Sequence, residues 1–256
     1  MKILEDKIIL VTGGSAGIGL ECVKAYVKAG AKVAFIGLDQ TSVNETAELI
    51  GAPHMGICAD VTQAREVESA IQKTVAVFGR LDAIHNNAGL ASPSKPLHET
   101  TDDEWIRLLD TNMKSVLLTT RYGYPHLKES VGCILNTSSL VGEIGQENHA
   151  AYAATKGAIN ALTKSMAIDY ASVGIRVNSV MPAAVMTPML NKWTLEQPQP
   201  TQVFDFLKDI HLLGYCPDGD VIADACVFLL SNQARFITGV NLPVSGGAEL
   251  GYRRNV

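Results

Sequence analysis

Seven short apolar runs, separated by segments of helical periodicity, constrain the fold more than any other feature of this sequence. The runs are rich in β-branched residues and cover 7–11, 32–36, 54–59, 83–86, 133–137, 176–180 and 239–244. Continuous apolar strands are typical of a parallel sheet that is covered on both faces. Between them, apolar residues recur at helical spacing over 18–30, 64–78, 102–128, 152–172 and 220–230. This alternation predicts a doubly wound α/β fold with about seven parallel strands and helices on both faces.

The chain length suits one domain rather than two. Its 256 residues are 47% hydrophobic and only 18% charged, which is enough to bury one large core. One long connection, residues 182–215, carries the segment Gln-Pro-Gln-Pro at 197–200. Connections this long in a compact domain usually bind ligands, so we expect a substrate lid over about 187–215 within a single domain of residues 1–256. A plain surface loop is the alternative.

Charge and cysteine usage exclude several classes of partner. The formal net charge is −5 and no run of Lys or Arg occurs, so we expect neither nucleic acid nor an anionic membrane as a partner. The five cysteines show no CxxC spacing, which indicates no metal site and no disulfide framework. Glu5 and Asp6 lie where a signal peptide would need apolar residues, and no apolar run approaches the ~18 residues of a membrane-spanning helix. We therefore expect a cytoplasmic protein.

A glycine-rich segment, TGGSAGIG at 12–19, follows the first strand directly and precedes a helix. Gly13 permits a sharp turn, Gly17 lets the backbone approach a pyrophosphate, and Gly19 allows close packing of the helix. The helix N-terminus favours negative charge. The position of this segment therefore predicts a phosphate-binding loop, and a purely structural turn is the alternative. The expected cofactor contacts here are Gly13, Ser15, Ala16, Gly17, Ile18 and Gly19.

Four motifs in register resemble those of the short-chain dehydrogenase/reductase family. They are TGxxxGxG at 12–19, Asn-Asn-Ala-Gly at 86–89, Ser139, and Tyr152 with Lys156, with a thirteen-residue step from Ser139 to Tyr152. The resemblance covers nearly the whole chain. It implies a Rossmann-type fold and an NAD(P)-dependent oxidoreductase that transfers a hydride between its cofactor and a CH–OH or C=O group.

The resemblance implies a catalytic group of Asn112, Ser139, Tyr152 and Lys156. Tyr152 and Lys156 lie four residues apart on one helix, so their side chains share a face. A free tyrosine, with a pKa near ~10, is a poor base at neutral pH. We expect Lys156 to lower that pKa and Tyr152 to act as the general acid/base.

Two members of this group have open alternatives. Ser139 is expected to position the reacting oxygen, and Ser138 is the competing candidate. Asn112 matches the family's asparagine that holds a water next to the lysine. An asparagine bonded to nearby backbone is the other interpretation of Asn112.

Further cofactor contacts are implied by the resemblance. Asp60 and Val61 would meet the adenine, although Asp60 or Thr62 could also cap the following helix. Ala183 replaces the family's usual glycine in the segment that holds the nicotinamide carboxamide. The implied contacts outside the glycine loop are Leu38, Asp39, Asp60, Val61, Asn87, Ala88, Gly89, Tyr152, Lys156, Pro182, Val185 and Thr187.

The end of the second strand indicates NAD rather than NADP. A carboxylate there bonds the ribose 2′-OH and repels a 2′-phosphate. Ala16 and Leu38 occupy positions at which NADP-preferring relatives carry Arg or Lys. The family's usual acidic position aligns with Gly37, so Asp39 comes two residues late and would have to turn inward. Alternatively, Asp39 only opens the turn before Gln40.

Polar residues just before Tyr152 indicate a sugar or polyol as substrate. Glu143, Gln146, Glu147, Asn148 and His149 could satisfy several hydroxyls, or they could be solvated loop residues. Substrate contacts are also expected from the 91–97 loop and the lid. The expected substrate contacts are Ser139, Val141, Gln146, His149, Tyr152 and Trp193.

Two short segments resemble particular subgroups of the family. Residues 180–188 resemble sugar 1-dehydrogenases acting on L-fucose-like aldoses, and residues 245–252 resemble a group with hydroxysteroid and sugar activity. A hydroxysteroid or another secondary alcohol therefore stays open as substrate. A non-catalytic dinucleotide sensor is disfavoured, because Tyr152 and Lys156 are both present. The resemblance also implies a homotetramer or homodimer, paired through the helices over 102–128 and 152–172.

Overall fold

Seven parallel strands form one sheet in the computed structural model, which describes residues 2–250. The strands are β1 (Ile8–Thr12), β2 (Lys32–Gly37), β3 (Met55–Cys58), β4 (Ala83–Asn86), β5 (Cys133–Thr137), β6 (Arg176–Pro182) and β7 (Asn241–Val244). Their order is β3-β2-β1-β4-β5-β6-β7. The predicted doubly wound, Rossmann-type sheet is confirmed. Met1 and residues 251–256 of the predicted domain, including the end of the 245–252 segment, lie outside the described residues.

Helices connect the strands and cover both faces of the sheet. They are α1 (Gly17–Lys28), α2 (Gln40–Ile50), α3 (Ala64–Phe78), α4 (Asp102–Leu109), α5 (Ser115–Ser130), α6 (Val141–Ile144), α7 (Ala150–Tyr170), α8 (Pro188–Leu195), α9 (Pro200–Asp209) and α10 (Gly219–Leu230). The apolar periodicity did not predict α2. This helix is polar along most of its length and buries only Val43 and Thr46. Its apolar face is therefore too narrow to produce a helical periodicity in the sequence.

The single helix expected over 102–128 is interrupted. Between α4 and α5 the chain makes a π-helical turn over Asp110–Lys114, and α5 then continues to Ser130. A π-turn inserts an extra residue and rotates the helix after it, and such turns are frequent at functional sites. Here the turn contains Asn112, which is 2% exposed.

The segment expected as a long loop, 182–215, is largely helical. Strand β6 extends to Pro182, and α8 and α9 follow within the predicted lid. Thr187 caps α8, and a proline occupies the first turn of both helices. Proline is common in the first turn of a helix. The Pro/Gln segment at 197–200 nevertheless predicts a loop, because no long apolar stripe accompanies it.

Two apolar cores lie on opposite faces of the sheet. One contains side chains from α1 and α10 and the other contains side chains from α3, α5 and α7. The chain reverses its winding direction between β1 and β4, and ligands of such sheets bind in the crevice at the carboxyl ends of the strands there. Among residues 2–250, none of the helices combines the length and apolarity that crossing a bilayer requires.

Candidate active site

A cleft of about 610 Å³ opens at the carboxyl ends of β1, β2 and β4. Five of its lining residues outside the glycine loop match the implied cofactor contacts: Leu38, Asp60, Val61, Ala88 and Gly89. Sequence reasoning missed the opposite wall, which Leu90 and residues of α4 and the π-turn form. That wall includes Asp103, Ile106, Arg107, Asp110 and Thr111. No motif marks it, because it comes from a helix brought there by the fold.

The glycine loop has the shape that a pyrophosphate requires. Gly13 and Gly17 have φ angles of 65° and 52°, in the left-handed region that favours glycine. A Cβ on Gly19 would lie 2.0 Å from the carbonyl oxygen of Gly13. Helix α1 begins after Ala16 without a capping side chain, which leaves its first amides available to an anion. Ser15, Ala16 and Ile18 line this same turn.

Asn87 joins the end of β4 to the glycine loop. Its Nδ2 donates to the carbonyl oxygens of Thr12 (3.1 Å) and Gly13 (3.2 Å). In return, Thr12 Oγ1 accepts the backbone N–H of Asn87 (2.9 Å) and of Ala88 (3.0 Å). Asn87 therefore shapes the phosphate loop through hydrogen bonds to its backbone. Thr12 is a positioning residue that sequence reasoning included in the motif without assigning it a role.

Asp39 is the N-cap of α2. Its exposed carboxylate accepts the backbone N–H of Ser42 at 2.8 Å, and this hydrogen bonding lowers the pKa of Asp39. The expected inward turn of Asp39 is therefore absent, and the turn-opening alternative describes its geometry. Leu38, which is 75% exposed, is the side chain of this segment that lines the cleft.

The capping roles considered for Asp60 and Thr62 are wrong. Helix α3 starts at Ala64, so Gln63 takes the N-cap position. Asp60 instead accepts the backbone N–H of Thr62 at 2.8 Å, and its own N–H donates to Glu66 Oε2 at 2.7 Å. These bonds fix the turn that presents Asp60 and Val61 to the cleft.

Tyr152 and Lys156 lie on one face of α7, beside the cleft and not among the residues that line it. Lys156 Nζ is 5.7 Å from the centre of the Tyr152 ring, and it donates to the carbonyl oxygen of Thr137 at 2.8 Å. A Cβ on Gly89, in the cleft wall, would lie 3.5 Å from Lys156 Nζ. The pair therefore adjoins the floor of the cleft.

The pKa values of this pair differ from the sequence expectation. Burial lowers the pKa of Lys156 to about 8. Burial raises the pKa of Tyr152, and the nearby Ser139 opposes that rise. In the chain by itself, Lys156 does not produce the expected lowering at Tyr152, because its ammonium is directed to the Thr137 carbonyl. Tyr152 is therefore a protonated phenol at neutral pH, suited to donate a proton.

The structure separates the two candidate serines. Ser138 Oγ donates to the carbonyl oxygen of Lys156 at 2.9 Å and is occupied in holding β5 to α7. Ser139 lies close enough to the Tyr152 phenol to lower its pKa. Ser139 is thus placed to contact the same substrate oxygen as Tyr152.

Asn112 is fully bonded within the protein. Its Oδ1 accepts the N–H of Leu90 at 2.8 Å, and its Nδ2 donates to Leu90 O and to Thr155 Oγ1, both at 2.9 Å. Two of these three bonds are to the backbone of Leu90, in the loop after β4 and not in the helix of Asn112, so the water-holding role stays a prediction. A Cβ on Gly89 would meet Asn112 Oδ1 at 3.3 Å, so Asn112 still lies beside the Lys156 end of the cleft.

The segment predicted to hold the nicotinamide comprises the end of β6 and the turn that follows it. The Pro182 carbonyl oxygen accepts the N–H of Leu140 at 2.9 Å, which ties β6 to the Ser139 segment. Val185 is buried, and Thr187 Oγ1 accepts the N–H of Leu190 as the N-cap of α8. Thr187 also faces the glycine loop, since a Cβ on Gly17 would lie 3.5 Å from its methyl group.

Of the polar residues before Tyr152, only His149 is brought to the catalytic group. Its ring lies 6.3 Å from that of Tyr152 in an edge-on arrangement, and its Nε2 is 3.2 Å from Ser94 Oγ in the 91–97 loop. Glu143, Gln146, Glu147 and Asn148 are exposed, as the solvated-loop alternative requires. Val141 opens α6, directly after Ser139 and Leu140. Trp193 is half-buried in α8 and makes no described contact with the catalytic group.

The fold and this site define a nicotinamide-dependent oxidoreductase that acts on CH–OH and C=O groups. The chain matches the family model described as enoyl-(acyl carrier protein) reductase over residues 13–249. It is 38% identical to L-fucose dehydrogenase of Bos taurus over 97% of this chain and 91% of that protein. It is 37% identical to cyclopentanol dehydrogenase of Comamonas testosteroni, over 95% of this chain and 97% of the relative. The chain belongs to the short-chain dehydrogenase/reductase family.

Solved structures agree with this assignment. The 3-ketoacyl-(acyl-carrier-protein) reductase of Brucella melitensis, complexed with NADH, superposes with a TM-score of 0.88 and 33% identity, covering 96% of this chain and 99% of that one. The ligand-free aldohexose dehydrogenase of Thermoplasma acidophilum gives 0.89 and 30%, covering 99% and 98%. A nicotinamide dinucleotide is thus the cofactor class, and the non-catalytic sensor is excluded.

Proposed function

We propose that this dehydrogenase oxidises a CH–OH group of an aldose or polyol with NAD. The observation that carries the proposal is the placement of the His149 ring beside that of Tyr152, with Ser94 bonded to His149. His149 Nδ1 donates to the Glu147 carbonyl oxygen at 2.9 Å, so Nε2 is an acceptor that a substrate hydroxyl would share with Ser94, which suits a substrate with neighbouring hydroxyls. The relatives named L-fucose dehydrogenase and aldohexose dehydrogenase support the same substrate class.

The chain's own residues supply positioning and proton transfer. The bound nicotinamide supplies the hydride-accepting ring. Ser139 holds the substrate oxygen by a hydrogen bond, and Tyr152 removes the hydroxyl proton in oxidation or returns it in reduction. Because burial raises the pKa of Tyr152, the rate of oxidation should rise with pH and the rate of reduction should fall. Lys156, charged below about pH 8, would stabilise the phenolate that oxidation requires only if its ammonium turned from the Thr137 carbonyl oxygen toward the Tyr152 oxygen when cofactor and substrate bind.

The α2 N-terminus supports NAD over NADP. An uncapped helix N-terminus beside the adenosine would attract a 2′-phosphate. Here the Asp39 carboxylate already accepts the Ser42 amide, so it both occupies that N-terminus and adds negative charge. Neither Ala16 nor Leu38 offers a cation. Asp39 therefore disfavours the 2′-phosphate from its capping position, without turning inward.

We further propose that α8 and α9 form the substrate lid and that the chain assembles as a homodimer or homotetramer. Met189, Leu195 and Phe206 on these two helices are each about 60% exposed. On α5 and α7, Leu117 and Ile168 are 53% and 79% exposed, which supports pairing through these helices. The five cysteines are free, and this supports a reducing, cytoplasmic location.

A substrate panel tests the function. Purified protein is mixed with NAD or NADP and with L-fucose, other aldoses, polyols, hydroxysteroids and cyclopentanol, and the formation of reduced nicotinamide is followed. We expect the highest kcat/KM with an aldose or polyol and NAD. His149→Ala should raise KM for that substrate, with His98→Ala, on the exposed surface, as the matched control. A preference for hydroxysteroids or cyclopentanol, or an equal response to NADP, would contradict the proposal.

A further inference from the structure

A second polar cluster lies in the apolar core between α1, β4 and α10, apart from the catalytic group. It consists of Cys22 and Tyr26 on α1, His85 on β4 and Cys226 on α10, and all four side chains are 0% exposed. One ligand atom each from Cys22, His85 and Cys226 lies within 4.8 Å of the other two. Hydride and proton transfer at Tyr152 use none of these groups. The Tyr26 hydroxyl and both His85 ring nitrogens have hydrogen-bond partners, so what needs explanation is the convergence of two thiols and an imidazole in an apolar core.

Hydrogen bonds fix the tautomer of His85. Asn87 Nδ2 faces the carbonyl oxygens of Thr12 and Gly13, so its Oδ1 accepts the Thr137 hydroxyl at 3.3 Å. Because that hydroxyl proton is committed to Asn87, Thr137 Oγ1 accepts from His85 Nε2–H at 2.9 Å. The proton of the neutral imidazole is therefore on Nε2, and Nδ1 accepts a hydrogen bond from the Tyr26 hydroxyl at 2.9 Å.

The Tyr26 hydroxyl links this nitrogen to the two thiols, whose sulfur atoms lie within 4.8 Å of it. His85 Nδ1 lies 2.9 Å from the Tyr26 hydroxyl, and that hydroxyl in turn interacts with both Cys22 and Cys226. Hydrogen bonding from Cys226 lowers the pKa of the Cys22 thiol, while burial raises that of Cys226. Metal-bound histidines characteristically donate their second ring N–H to a protein oxygen, as His85 does to Thr137.

We propose that Cys22, His85 and Cys226 bind one zinc ion, with the Tyr26 oxygen at the fourth position. Zinc bonds of about 2.3 Å to sulfur and about 2.0 Å to nitrogen hold tetrahedral ligands roughly 3.5 to 3.8 Å apart, so ligand atoms that lie within 4.8 Å of one another would approach by up to about 1 Å. Binding releases the two thiol protons, and two thiolates then balance the divalent charge. Neutrality favours Zn²⁺ over a monovalent soft cation in a core without water, where net charge is costly.

The proposed zinc has a structural role. The site has no exposed surface, so neither substrate nor an attacking water can reach it. It would cross-link α1 and α10 and hold β4 beside them. Since α1 begins at the glycine loop, the metal would stiffen the support of the phosphate-binding turn. Cysteine spacing predicted no metal because α1 and α10 meet only in the folded chain.

Zinc content tests the proposal directly. Wild-type protein, Cys226→Ala and the control Cys133→Ala, a buried thiol outside the cluster, are stripped with chelator, unfolded, and refolded with equimolar Zn²⁺. Refolding removes slow entry into the core as a cause of low binding. After gel filtration, we expect one zinc per chain in wild type and Cys133→Ala, at least about tenfold less in Cys226→Ala, and a higher melting temperature for the two loaded proteins.

X-ray absorption on the zinc-loaded wild type serves if Cys226→Ala does not refold. We expect two sulfur ligands at about 2.3 Å and a nitrogen ligand at about 2.0 Å. Wild-type protein that retains no zinc, zinc bound only through nitrogen and oxygen, or a Cys22–Cys226 disulfide in the intact mass would each overturn the proposal. None of these readouts depends on dehydrogenase activity, so they are independent of the proposed substrate.

Discussion

Two polar clusters that meet at Thr137 differ in their access to solvent. The catalytic cluster, Ser139, Tyr152 and Lys156, adjoins the cleft, and Tyr152 remains half-buried. The α1–α10 cluster of Cys22, Tyr26, His85 and Cys226 has no exposed surface. Thr137 touches both, since its carbonyl oxygen accepts from Lys156 and its hydroxyl from His85. Polar side chains therefore serve catalysis in the cluster beside the cleft and, we propose, structural stability in the α1–α10 cluster.

The largest expected effect comes from removing one tyrosine hydroxyl from each cluster and comparing the activity of the two variants. Tyr152→Phe removes the proton donor and acceptor, so we expect kcat to fall by about 10²–10⁴ while the dissociation constant for the nicotinamide is unchanged. Tyr26→Phe is the matched control and should keep kcat within about threefold, although it removes a buried hydroxyl of the other cluster. Steady-state kinetics and cofactor titration measure both. Comparable losses of kcat in the two variants would show that the clusters do not have separate roles.

A second prediction concerns the energetic cost of the catalytic cluster. The pKa of Lys156 is lowered from 10.5 to about 8, so holding it charged in the fold costs about 3 kcal/mol below pH 8. Lys156→Met removes that cost and also a hydrogen bond worth about 1 kcal/mol, so we expect a net gain of about 2 kcal/mol in unfolding free energy at pH 7.

The sign of this effect follows from the depressed pKa. The folded chain binds fewer protons than the unfolded chain between about pH 8 and 10.5, so wild-type stability rises with pH in that window. The advantage of Lys156→Met should therefore shrink at pH 10. Lys164→Met, an exposed lysine of the same helix, is the control and should show no such pH dependence. Urea unfolding at both pH values measures this, and a loss of stability in Lys156→Met at pH 7 would refute it.

The smallest expected effect concerns Asp39. Asp39→Asn keeps a capping oxygen but removes the charge, so we expect unchanged stability and a lower preference for NAD over NADP. Asp39→Ala removes both, and should lower the melting temperature slightly as well. If the ratio of kcat/KM for the two cofactors stays at the wild-type value in both variants, Asp39 has no part in the discrimination.

The fold was predictable from the sequence because each strand and most helices carry their own local pattern. The catalytic group was predicted from the family resemblance, and the fold brings Ser139, Tyr152 and Lys156 together because two of them share one helix turn and the third ends the neighbouring strand segment. The far wall of the cleft and the α1–α10 cluster were not, because their members come from separate helices and strands. The prediction that Asp39 turns inward was wrong because its carboxylate caps α2. The apolar face of that helix is too narrow to be recognised from the sequence.

The most direct test of the central claim follows the hydride itself. The best substrate of the panel, deuterated at the reacting carbinol carbon, is incubated with NAD and the enzyme, and the reduced nicotinamide is analysed by mass spectrometry. We predict that the reduced cofactor carries the deuterium and that the product has lost it. Reduced cofactor without label, or product formed while the label appears in water, would contradict direct hydride transfer and with it the roles assigned to Ser139 and Tyr152.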